Sequence, residues 1–218
     1  MNAHTMIKLS GLIPAVFTPF DKSGAINLPQ IRPYADKLAA DGADGVFVCG
    51  STGECTSMTV AERKSVLEAW VKATAGRMRV IAHVGGTCQA DCIELARHAA
   101  GQGVDAIAPF YFNPASVEEL VDFYKPIAAA VAPIPFYTYH MPSVTGVNLP
   151  MKEFLEKGSR AIPNLNGIKF TSNNFMEMIE CIRFDGGRFD ILNGFDEMLL
   201  CGMAVGARGG VGSTYNYS

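Results

Sequence analysis

Eight short apolar runs recur along this chain, and amphipathic segments lie between them. The runs fall near residues 12–17, 45–49, 79–84, 105–109, 134–139, 167–170, 189–193 and 209–213. Apolar residues at helical spacing fill 27–41, 59–75, 89–101, 116–131, 150–158, 173–183 and 196–205. Thr59-Val60-Ala61-Glu62 and Ser116-Val117-Glu118-Glu119 have the form of capping boxes. Regular alternation of strand and helix predicts a parallel sheet covered by helices. Eight strands suggest a (β/α)8 TIM barrel, formed by residues 1–218 as one domain. Only seven helices follow the eight strands.

That architecture gathers chemistry at the C-terminal ends of its strands. Lys169 stands in the apolar run Gly167-Ile168-Lys169-Phe170. Lysine is rarely buried unless it is paired or used. An amine stripped of solvent sheds its proton more readily and becomes a nucleophile for carbonyl carbon. Alternation puts Thr171 on the same strand face as Lys169, and Tyr137 on the same face as Tyr139. Gly50-Ser51-Thr52-Gly53-Glu54 follows the run Gly45-Val46-Phe47-Val48-Cys49. Its glycines permit a tight turn, and its hydroxyls and N–H groups suit a small carboxylate.

Together with Gly11-Leu12-Ile13-Pro14-Ala15-Val16-Phe17-Thr18-Pro19-Phe20, Ile81-Ala82-His83-Val84-Gly85, Pro109-Phe110-Tyr111, Tyr139-His140-Met141-Pro142, Gly194-Phe195-Asp196-Glu197 and Gly212-Ser213-Thr214-Tyr215-Asn216, these segments resemble the N-acetylneuraminate lyase and dihydrodipicolinate synthase superfamily. Its members are pyruvate-dependent class I aldolases. The resemblance runs in order along nearly the whole chain. It implies that Lys169 forms a Schiff base with a keto acid and that Tyr139 relays a proton. It implies that Ser51 and Thr52 hold the substrate carboxylate, and that Tyr111 completes a hydroxyl relay in a neighbouring subunit of a homotetramer. Thr171, Gly194, Asp196, Glu197 and Ser213 would line the substrate site. Superfamily members continue past strand eight with another helix and a helical extension. The resemblance therefore describes a barrel truncated after strand eight, whose first and last strands lack apolar cover at Ile13, Val16 and Val211.

A few positions divide the superfamily that this chain resembles. The synthases usually carry arginine two residues beyond the Tyr-x-x-Pro proline, where this chain has Val144. The missing guanidinium argues against recognition of a second carboxylate. Asp196 and Glu197 instead fit the sialic acid branch, where carboxylates hold sugar hydroxyls. The remaining alternatives are another pyruvate-dependent aldolase or synthase, acting on a 2-keto-3-deoxy sugar acid or a dihydrodipicolinate synthase-like substrate, and a non-catalytic truncated barrel.

Net charge is −3, and no basic run occurs. Nucleic acid and anionic membranes thus have no electrostatic handle. No apolar run reaches the length of a membrane span, and no signal peptide is evident, so a cytoplasmic location is expected. The six cysteines read as reduced thiols. Neither His83 nor His140 lies at metal-ligand spacing, and the glycine-rich run 206–212 lacks the following helix a dinucleotide site needs. No metal and no cofactor are expected.

Overall fold

A computed structural model describes residues 6–218. Its eight strands are β1 (Gly11–Pro14), β2 (Gly45–Val48), β3 (Arg79–Ala82), β4 (Ala106–Ile107), β5 (Phe136–His140), β6 (Leu165–Phe170), β7 (Asp190–Asn193) and β8 (Gly209–Gly212). Each pairs in parallel with its successor from β2 onward. Strand β1 pairs with β8 and meets β2 at the Ala15–Phe47 bridge, which closes the barrel.

The helices are α1 (Ile31–Ala40), α2 (Val60–Thr74), α3 (Gln89–Gly101), α4 (Val117–Ala129), α5 (Pro142–Thr145), α6 (Met151–Ala161), α7 (Phe175–Arg183) and α8 (Leu199–Ala204). Seven match the periodic segments. The extra one, α5, is a single turn that begins at Pro142. Proline suits a first helical turn, where its missing N–H has no intrahelical partner to lose. Thr59 and Glu62 form the complete capping box. At α4 only half forms: Ser116 accepts from Glu119 N–H, while the Glu119 carboxylate turns back to Ala115 N–H.

Alternation sorts side chains into two apolar clusters. Phe47, Ile81, Ala106, Tyr137, Tyr139, Leu192 and Val211 fill the barrel interior. Val46, Val80, Ile107, Phe136, Ile168 and Ile191 face the helices. Ile13, Val16 and Val211, expected to lie uncovered, are each only 1% exposed. Ile13 and Val211 point inward, and Val16 packs into the outer cluster. The outward positions of β8 are Gly210 and Gly212, against Tyr215 and Asp196, so little apolar side chain stands there to be uncovered. Leu12 is the partly exposed residue of β1.

A polar plug closes the N-terminal end of the barrel. The Asp190 carboxylate accepts from Tyr137 Oη at 2.8 Å and Leu9 N–H at 2.9 Å. Asn166 donates to Tyr137 Oη at 2.7 Å and bonds both backbone groups of Ile7. Satisfied networks of this kind fix strand register, because an unpaired buried member costs about 1–3 kcal/mol. Among the described residues, no helix is long and apolar enough to cross a membrane. All six cysteines are free.

Two buried histidines make the fold acid-sensitive. Burial pushes His140 down to about 4. His83 is lowered well below its usual value by burial, then by the charges of Arg63 and Lys169. A depressed folded value stabilises above the unfolded one, near 6.5, and that contribution is lost as pH falls through the folded value. For His140 this amounts to roughly 3 kcal/mol at 1.36 kcal/mol per unit. Asp190 opposes it, because burial raises its carboxyl and its contribution grows on acidification. The melting temperature should therefore fall between pH 6.5 and 4, and His140→Gln should flatten the fall. A melting temperature constant across that range would contradict this.

Candidate active site

The C-terminal mouth of the barrel is built around an amine on aromatic faces. Lys169, on β6, is 3% exposed. Its Nζ lies 3.7 Å from the centroid of the Tyr139 ring and 4.3 Å from that of Phe47. The parallel register sets Tyr139 directly beside Lys169. Phe47 meets Tyr139 edge-on at 5.5 Å, and Phe110 and His83 close the other sides of its ring. Among the described residues, the amine has no carboxylate and no hydrogen-bond acceptor. Its neighbours are the faces of the Tyr139 and Phe47 rings, so no hydrogen bond or ion pair from these residues occupies the nitrogen.

The Tyr139 hydroxyl joins this pocket to the turn after β2. Its oxygen lies 3.2 Å from Ser51 Oγ and donates to Met141 Sδ at 3.1 Å. The turn is tightly constrained. Cys49 and Glu54 both take left-handed conformations, with φ of 58° and 59°. A Cβ on Gly50 would stand 2.6 Å from the Phe47 ring beneath the amine. Thr18 Oγ1 clamps the turn by donating to Gly53 O at 2.7 Å. Thr52 is half-buried beside Ser51.

Across the mouth, Thr171 Oγ1 is buried without a partner. Gly194 makes room for it: a Cβ there would fall 1.9 Å from that oxygen. Asp196 is half-buried and accepts from Thr214 N–H at 2.6 Å. Burial alone would raise its carboxyl, but the bonds from Thr214 outweigh it and hold the value below normal. Glu197 is exposed and Ser213 half-buried. Asp196 and Glu197 open a short 3-10 turn, Asp196–Met198, that leads into α8.

The structure thus joins Lys169, Tyr139 and Ser51 directly, sets Thr171 just beyond β6 against Gly194, and ties Asp196 to Thr214 after β8. Tyr111 is different. It stacks flat on Phe123 at 3.6 Å and makes no hydrogen bond to Tyr139. Sequence reading missed Phe47 and Met141, although alternation on β2 and β5 points both inward with their active neighbours. Outside β8, the Tyr215 hydroxyl is buried without a partner, and burial pushes its value up to about 12, with Asp196 adding to the shift. Asn216 proves structural. It bonds Ala15 O at 2.8 Å and accepts from Tyr34 Oη at 2.6 Å, tying the end of β8 to β1 and α1. Among the described residues, no three His, Cys, Asp or Glu side chains cluster as a metal site would need.

Residues 8–218 match the model of the dihydrodipicolinate synthetase family. N-acetylneuraminate lyase of Xenopus tropicalis is 44% identical over 215 residues, which is 96% of this chain and 70% of that protein. The solved N-acetylneuraminate lyase of Proteus mirabilis superposes with a TM-score of 0.94 at 42% identity, covering 97% of this chain and 72% of that one. Dihydrodipicolinate synthase of Aquifex aeolicus superposes at 0.89 with 30% identity, covering 95% and 71%.

Proposed function

This chain belongs to the dihydrodipicolinate synthetase family, and we propose that it is a Schiff-base aldolase cleaving N-acetylneuraminate to pyruvate and N-acetylmannosamine. The observation that carries this is the unpaired Lys169 amine on the Tyr139 ring, with the Tyr139 hydroxyl turned toward Ser51. Its likeness to lyases of that name at 40–44% identity supports the substrate.

In the proposed cycle, Lys169 Nζ attacks the keto carbon of the open-chain sugar acid, and water leaves to give an iminium. Ser51 and Thr52, with N–H groups of their turn, hold the neighbouring carboxylate. Thr171 Oγ1 supplies a further hydrogen bond. The Tyr139 hydroxyl relays a proton, taking that of the C4 hydroxyl as it passes its own on toward C3, while the C3–C4 bond breaks. That bond's electron pair passes into the iminium, which becomes an enamine, and C4 leaves as the aldehyde of N-acetylmannosamine. Protonation at C3 and addition of water release pyruvate and restore the amine. Asp196, Glu197, Ser213 and Gly194 line the sugar side. Tyr111 would complete the relay from a neighbouring subunit of a cytoplasmic homotetramer.

Val144 is 56% exposed on α5 and offers nothing to a second carboxylate. Cleavage of N-acetylneuraminate should therefore exceed condensation of pyruvate with aspartate semialdehyde by at least ~10²-fold in kcat/KM, the scale set when a charged anchor is missing. Parallel steady-state assays decide this. Faster condensation would reassign the protein to the synthase branch.

A further inference from the structure

Arg63 is a buried cation that the reaction above leaves unused. It lies in the first turn of α2, directly after the Ser51 turn, and is 8% exposed. Its guanidinium reaches the end of β3. Nη1 donates to Gly85 O at 3.0 Å and Nη2 to His83 O at 2.9 Å, with His83 Nδ1 3.3 Å away. Nε has no partner, and no carboxylate lies within ion-pair distance among the described residues. A buried charge without a counterion is costly, so a fold that keeps one needs a reason.

The surroundings supply it. The His83 ring that Arg63 touches packs edge-on against the Tyr139 ring, 6.0 Å between centroids, and Lys169 sits on that same ring. The charge of Arg63 also acts on Cys49 and Cys55, the two residues that bracket the Ser51 turn. Arg63 therefore lies behind the turn, screened from solvent, with carbonyl oxygens as its only bonded neighbours apart from the His83 ring. We infer that Arg63 is a positioning residue whose missing counterion is the carboxylate of the keto acid: it selects anionic substrates through the field it casts across the Ser51 turn, without touching them. The same field favours passage of the iminium, which is cationic, to the neutral enamine.

The inference rests on Schiff-base formation at Lys169, and the test separates the two. Pyruvate and its uncharged methyl ester are each titrated against the full-length protein with borohydride, and the half-trapping concentration is read by intact mass. A unit charge acting over about 10 Å at an effective dielectric of about 20 gives roughly tenfold discrimination. Wild type should trap pyruvate at a roughly tenfold lower concentration than the ester. Arg63→Met should bring the two within about threefold, by weakening the anion alone. Arg63→Lys, which keeps the charge but not the fork of hydrogen bonds, should retain most of the preference. A purely structural role would weaken both ligands equally, and that result overturns the inference. Should Arg63→Met fail to fold, equal trapping of anion and ester by wild type, or loss of the preference in Arg63→Lys, overturns it as well. Absence of any wild-type adduct would instead refute the Schiff-base reading.

Discussion

Lys169→Arg should lower turnover of N-acetylneuraminate by roughly 10⁴-fold or more, the scale seen when a nucleophile is removed. The substitution isolates the chemistry from the packing. A guanidinium stacks on aromatic faces as well as an ammonium does, so the contacts to Tyr139 and Phe47 survive. Melting temperature should consequently change little. What disappears is a nitrogen able to bond carbon, because the guanidinium keeps its proton. Residual turnover near wild type in this variant would move the nucleophile elsewhere in the chain.

The second large effect is expected at Tyr139. Tyr139→Phe should lower kcat by roughly 10²–10⁴-fold, the usual contribution of a positioned acid–base group. KM should move much less, since the carboxylate turn and the amine are untouched. One oxygen is lost, and with it the contacts to Ser51 and Met141. Ser51 is exposed and can bond water instead, so the cost to stability should stay near 1 kcal/mol. Borohydride trapping of pyruvate should persist, because imine formation needs the amine rather than the C4 proton relay. A variant with normal kcat would return Tyr139 to packing.

Much of this site was legible because a parallel barrel converts sequence position into geometry. An apolar strand containing one lysine puts the amine inside, and the residue two places beyond a strand tyrosine points the same way. The Gly50–Glu54 turn was readable because glycines and hydroxyls cluster immediately after a strand. Other features needed three dimensions. Nothing local to Ile13 or Val211 tells whether a strand residue faces inward or outward in a barrel buried on both sides. Arg63 looks like an ordinary first-turn helix residue, and its reach to His83 and Gly85 follows only once β3 lies beside α2. Tyr111 shows the reverse. Its motif suggests a relay into a neighbouring subunit but says nothing of Phe123, on the following helix, against which its ring stacks flat.

The central claim is that the Lys169 amine bonds the keto carbon of pyruvate, and peptide mapping after borohydride reduction tests it most directly. Protein incubated with pyruvate and reduced should gain one stable adduct, carried by the peptide containing Lys169, and Lys169→Arg should gain none. An adduct on another lysine, or no adduct on a folded protein, would contradict the account.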